Sequence, residues 1–250
     1  MRKGLIGIIT IFLLVSAMPV WADMVEDGLP PTVSERVRNQ AREMIRAGVP
    51  EEDAVAMTRS MVQNQYREEH TLQAQRQVIA ACDEGLPPGP VMNKLREGLA
   101  KQVPPEKVVK AMQTVRERHA HAYRHARQVT EDPAAQKALG DALAQGLAAG
   151  MKPRDMARVQ ERVRERVRLR ACDDCPQLAL ESALTARDMA RLGVDSDTAG
   201  DVVCQALERG YGSPEMNRMR HRFRNRVHDD DPQRLAHRYS HAFRNGQDPA

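Results

Sequence analysis

Aromatic residues are scarce in this chain: one Trp, four Tyr and three Phe, 3% of 250 residues. Sandwiches and barrels build their strands from aromatic and β-branched runs, so a β architecture is disfavoured. Recognisable chemistry is scarce as well. No glycine-rich phosphate loop, kinase signature, zinc-protease helix or nucleophile elbow occurs. Nothing pairs a nucleophile with a base, and the expectation is a protein that is not an enzyme and has no cofactor. No second long apolar run follows the first 22 residues, so no transmembrane segment is expected in the mature chain.

That first segment has its own signature. Met1-Arg2-Lys3 is basic, Leu5 to Val15 is apolar, and Val20-Trp21-Ala22 places modest residues where a signal peptidase needs them. Residues 1–22 are therefore expected to be a signal peptide cleaved after Ala22. The mature protein is expected to be exported, to a periplasm or the medium. No cysteine follows the site directly, which argues against a lipid anchor.

What the chain has in plenty is Ala, Arg, Met and Glu, with 15 Gly and 15 Pro set at intervals. The first group favours helices. The second punctuates them. A recurring junction runs Gly, apolar residue, then Pro or a small polar residue: Gly28-Leu29-Pro30, Gly48-Val49-Pro50, Gly85-Leu86-Pro87, Gly150-Met151-Lys152-Pro153, Gly193-Val194-Asp195 and Gly210-Tyr211-Gly212. Gln102-Val103-Pro104 is a variant. Glycine takes the left-handed position that stops a helix, the apolar residue packs back, and Pro or an acid opens the next helix. Each junction therefore predicts a helix hairpin.

The junctions are in register. Gly85 to Gln102 and Gly193 to Gly210 are both 17 residues, and Gly85 to Gly193 and Gln102 to Gly210 are both 108. The pattern A-H-x-Y-x-H-A closes both sets, at Ala120–Ala126 and Ala236–Ala242. The predicted fold is all-α: an array of short helix hairpins, internally duplicated, following the signal peptide. Half A spans 24–129 and half B 130–246, each with two hairpin units. Apolar stripes such as Met156, Val159, Val163 and Val167 are narrow, as thin layers of short helices require.

Three groups of side chains are candidates for function. His121/His125 and His237/His241 are i, i+4 pairs, each half of a site for zinc or copper. His119 falls on an apolar stripe and is read as a packing residue. Cys82, Cys172, Cys175 and Cys204 form an even set in an exported chain, which reads as disulfides. The pair Cys172/Cys175 also has redox spacing, although the acids between the sulfurs would raise a thiol pKa. Finally, Arg162 to Arg170 and Arg218, Arg220, Arg222, Arg224 and Arg226 alternate through two helices. Export and the lack of stacking aromatics argue against nucleic acid as their target. An acidic protein or an anionic envelope component suits them better.

The reading that follows is an exported, non-enzymatic helical-repeat protein acting as an interaction module. A metal-binding or stress-sensing periplasmic protein using the histidine pairs is the first alternative, and a thiol redox protein the second.

Overall fold

The computed structural model describes residues 21–169 and 174–249. The expected signal peptide lies outside the described residues apart from Trp21 and Ala22, and Cys172 also lies outside them. The described chain is helical throughout, without strands. In order come α1 (Trp21–Gly28), α2 (Glu35–Arg46), α3 (Glu51–Gln63), α4 (Glu68–Asp83), α5 (Gly89–Ala100) and α6 (Pro105–Arg127). They are followed by α7 (Pro133–Ala148), α8 (Pro153–Arg168), α9 (Cys175–Arg191), α10 (Ser196–Glu208), α11 (Ser213–Arg226) and α12 (Pro232–Arg244).

One backbone device stops most of these helices. Gly48, Gly85, Gly150, Gly193, Gly210 and Gly246 have positive φ, as do Gln65 and Gln102. At each, the next residue's N–H reaches back five residues, as in Val49 to Met44 and Val194 to Met189, both 3.0 Å. The stop residue's own N–H reaches back three, as in Gly193 to Ala190 at 3.1 Å. This is the Schellman arrangement, which satisfies the last carbonyls of a helix. Two sequence expectations change. Gly28 ends α1 without the left-handed conformation, because Arg38 and Arg59 satisfy the carbonyls there instead. The stop at Gln65 before Tyr66 was not expected, since the sequence offers no Gly or Pro at that junction.

Helix starts follow an acid-proline rule. Asp132 accepts from the Ala135 N–H at 2.7 Å and Asp231 from the Arg234 N–H at 2.8 Å, each just before a proline at the first helical position. The side chain replaces a missing intrahelical partner while proline fixes φ.

The chain divides into two compact units, one ending at Arg76 and the other beginning at Gln77, inside α4. In the first unit α1, α2 and α3 pack on one another. Arg38, 6% exposed, organises it. Its guanidinium donates to the carbonyls of Val33, Val25, Leu29 and Pro30, the last at 2.7 Å, and to the Glu26 carboxylate at 3.0 Å. Carbonyls at the end of α1 and in the loop after it thereby gain a donor. Gln75, midway along α4, donates to Val37 O at 3.3 Å and to the Thr58 hydroxyl at 3.0 Å.

In the second unit α7, α9 and α11 lie side by side, and α8, α10 and α12 form a second row. Long-range packing also joins α5 to α6 and α6 to α7. The core runs between the rows through Leu143, Met156, Leu178, Met189, Val203 and Phe223. Alanine lets the α7 and α9 backbones approach, with Ala142, Ala179, Ala183 and Ala186 fully buried. Gly140 does the same for α6 and α7: a Cβ there would stand 2.5 Å from the Tyr123 ring. The expected halves 24–129 and 130–246 are drawn from sequence spacing, and their border differs from that of these packing units. Thus α6, last in half A, packs along α7, first in half B.

Candidate functional site

The histidine pairs come from the two A-H-x-Y-x-H-A segments, and the tyrosine explains their placement. Tyr123 and Tyr239 are buried, which rotates the flanking histidines outward. His121 and His125 are half-buried, with ring centroids 4.8 Å apart. Burial lowers the His125 pKa, and His121, Arg164 and Arg124 lower it further. His237 and His241 are exposed and lie within hydrogen-bond reach of Gln233 and Asn245, both at 3.1 Å. The four histidines do not come together. Among the described residues no group of three or more His, Cys, Asp or Glu is placed to hold a metal ion. His119 is buried as its stripe position implies, with Nδ1 2.9 Å from Val115 O and its pKa lowered by burial.

Of the cysteines, Cys82 in α4 and Cys204 in α10 are free thiols, so the expected disulfide is corrected at both. Each sits within a regular helix rather than in a connecting loop. Burial raises the Cys204 pKa to about 11. Cys175 is disulfide-bonded.

The alternating arginines separate. Residues two apart in a helix project on nearly opposite sides. Arg220 turns inward, 2.9 Å from Glu181 and 3.8 Å from Asp188, both on α9. Arg224 reaches Asp188 at 3.8 Å. Arg218 meets Glu215 at 2.6 Å, Arg222 is exposed, and Arg226 donates to Pro249 O at 3.0 Å. The earlier run is engaged too: Arg162 pairs with Glu165 and Glu208, and Arg166 donates to Tyr211 O at 2.6 Å. Arg170 lies outside the described residues.

The structure draws attention instead to α6. Glu117, His121, Arg124 and Gln128 recur every three or four residues, so they share one face. This face and the α4–α5 turn line a cleft of about 790 Å³. A second cleft of about 360 Å³ adjoins it, lined by Leu86, Pro87, Tyr123, Arg127, Pro133 and Lys137. Leu86 and Arg127 line both. Sequence reasoning missed Arg124 and Arg127 because it weighed the histidines alone. The i, i+3/i+4 run of polar residues beside them was the available signal.

Comparison with protein-family models, with curated proteins and with solved structures yields no match.

Proposed function

We propose that this chain is an exported, non-enzymatic helical-repeat protein whose surface binds another protein or an anionic envelope component. The observation that carries the reading is the row-on-row packing of short helices ended by one repeated backbone stop. Such arrays present extended surfaces made of many helix edges, a construction suited to recognition. The matched spacing of these stops supports an origin by duplication, with residues 24–129 and 130–246 as the copies. Gly48 and Gly150, Gly85 and Gly193, and Gln102 and Gly210 would be equivalent stops.

The test is a photo-crosslinking scan in cells over exposed positions of α6, α11 and α12, with fractionation of the envelope. Adducts that recur with one component support the reading. An unadducted chain recovered from the cytosol would overturn it.

A second reading rests on the 4.8 Å approach of His121 and His125. In that reading the pair recruits zinc or copper, with the remaining ligands from solvent or a partner. Calorimetry with each ion against the His121→Ala, His125→Ala variant decides it. Identical heats from both proteins would remove the metal.

A further inference from the structure

We infer that the two clefts meeting at Leu86 and Arg127 form one docking groove for an acidic peptide segment of a partner protein that carries an apolar side chain. The inference rests on the reading that this chain binds a protein, and it names the site and the chemistry.

Arg127 is the pivot. Its Nη2 donates to Glu84 O at 3.0 Å and to Gly85 O at 3.1 Å. Those bonds hold the guanidinium in place at the turn, while Nε and Nη1 donate to no group among the described residues. A guanidinium already oriented loses little further freedom when a carboxylate arrives, and the pairing is charge-assisted. Arg124, one turn back, is exposed and makes no ion pair among the described residues. Acids line this wall too, yet Glu84 is committed to Arg116, and the other acid, Glu117, is outnumbered by Arg124 and Arg127. The unmet charge of the wall is therefore positive.

The other wall is apolar. Pro87, Pro133 and the Tyr123 ring line it. The Tyr123 hydroxyl donates to Asp141 at 2.8 Å, and Lys137 pairs with Asp141 at 2.9 Å. The lysine charge is thus met within the protein, and the accessible hydrocarbon of this wall comes from Pro87 and Pro133, over the buried Tyr123. An occupant must bring carboxylates to one wall and hydrocarbon to the other. A peptide with acidic residues around a leucine or similar side chain does both.

Other anionic partners fit less well. A bilayer is broad and flat, whereas these cations line a concave trough. A nucleic acid needs successive cations along a backbone and aromatic faces for its bases. Here acids interrupt the cations, and the tyrosine is buried.

The experiment uses the full mature chain and a fluorescein-labelled peptide of Glu-Glu-Leu repeats, read by anisotropy. Arg124→Glu is the main variant, because that side chain is exposed and holds nothing else in place. Arg127→Gln is the second, with helical content checked by circular dichroism. Saturable binding is expected, weakened about tenfold or more by Arg124→Glu, as reversing a charge at a recognition site does. It is also expected to weaken when the peptide glutamates become glutamines. No binding, equal binding by Arg124→Glu, or capture by phosphatidylglycerol vesicles in place of the peptide would overturn the groove. A photo-crosslinker at position 124, compared with one at position 237, separates the two claims. Adducts with one component at 237 but none at 124 remove the groove and leave the interaction reading standing. Adducts at neither position, nor elsewhere in the scan, remove both.

Discussion

The guanidinium of Arg220 on α11 lies 2.9 Å from the carboxylate of Glu181 on α9, and the side chains are 11% and 8% exposed. A pair so shielded costs much to desolvate, so breaking it strands a charge rather than deleting a bonus. Arg220→Met is expected to lower the unfolding free energy by about 3 kcal/mol. Adding Glu181→Leu should recover part of that loss, since no lone carboxylate then stays at that position. Urea titrations of the two variants, followed by circular dichroism, measure both effects. A double variant weaker than the single one would contradict the account.

Gln102 stops α5 with φ at 52°, where a side chain is strained and glycine is not. Replacing it with glycine relieves strain but loosens the unfolded chain, leaving a net gain of about 0.5–1 kcal/mol. At Gly193, with φ at 97°, alanine should cost about 1 kcal/mol. Thermal melts of the two variants should shift in opposite directions.

Gln160 on α8 is 1% exposed, and among the described residues neither its amide oxygen nor its nitrogen has a hydrogen-bond partner. Burying such a group is costly, and an apolar residue of similar shape avoids the cost. Gln160→Leu is expected to stabilise the protein by about 1 kcal/mol. A lower denaturation midpoint would show that the amide is satisfied in solution.

Histidine protonation sets the acid limit. Burial lowers the pKa of His119, and burial with nearby cations lowers that of His125. At neutral pH both states of the chain hold these rings neutral. As pH falls below the unfolded value of about 6.5, the unfolded chain takes up protons first, and stability drops. His119→Phe should flatten the decline between pH 6.5 and 5, read from denaturation midpoints across that range. Parallel slopes in wild type and variant would exclude His119 as a cause.

Much of this was legible in the residues, for a local reason. A Schellman stop needs one left-handed residue and one apolar neighbour, so Gly48, Gly85, Gly150, Gly193 and Gly210 marked helix ends directly. Gln65 escaped because glutamine does not favour the left-handed conformation it takes, so its residue type gave no sign of the stop. The histidine faces followed from spacing, as did the burial of His119. Partners did not. Whether Arg220 faces solvent or Glu181 depends on how α11 seats against α9, which the periodicity of α11 alone cannot specify. The α6 cleft needs the α4–α5 turn as its second wall, some thirty residues away in the chain.

The two rows of the second unit also determine how it comes apart. Helices α7 to α12 touch chiefly neighbours within or across the rows, so little ties α12 to α7 directly. Such a stack behaves like a chain of coupled elements, and melting can enter from an end. Amide protons of α12 are therefore expected to exchange with solvent before those of α9, which is flanked by α7, α8, α10 and α11. Helix α12, packed chiefly on α10, can be lost and regained while the middle of the stack stays folded.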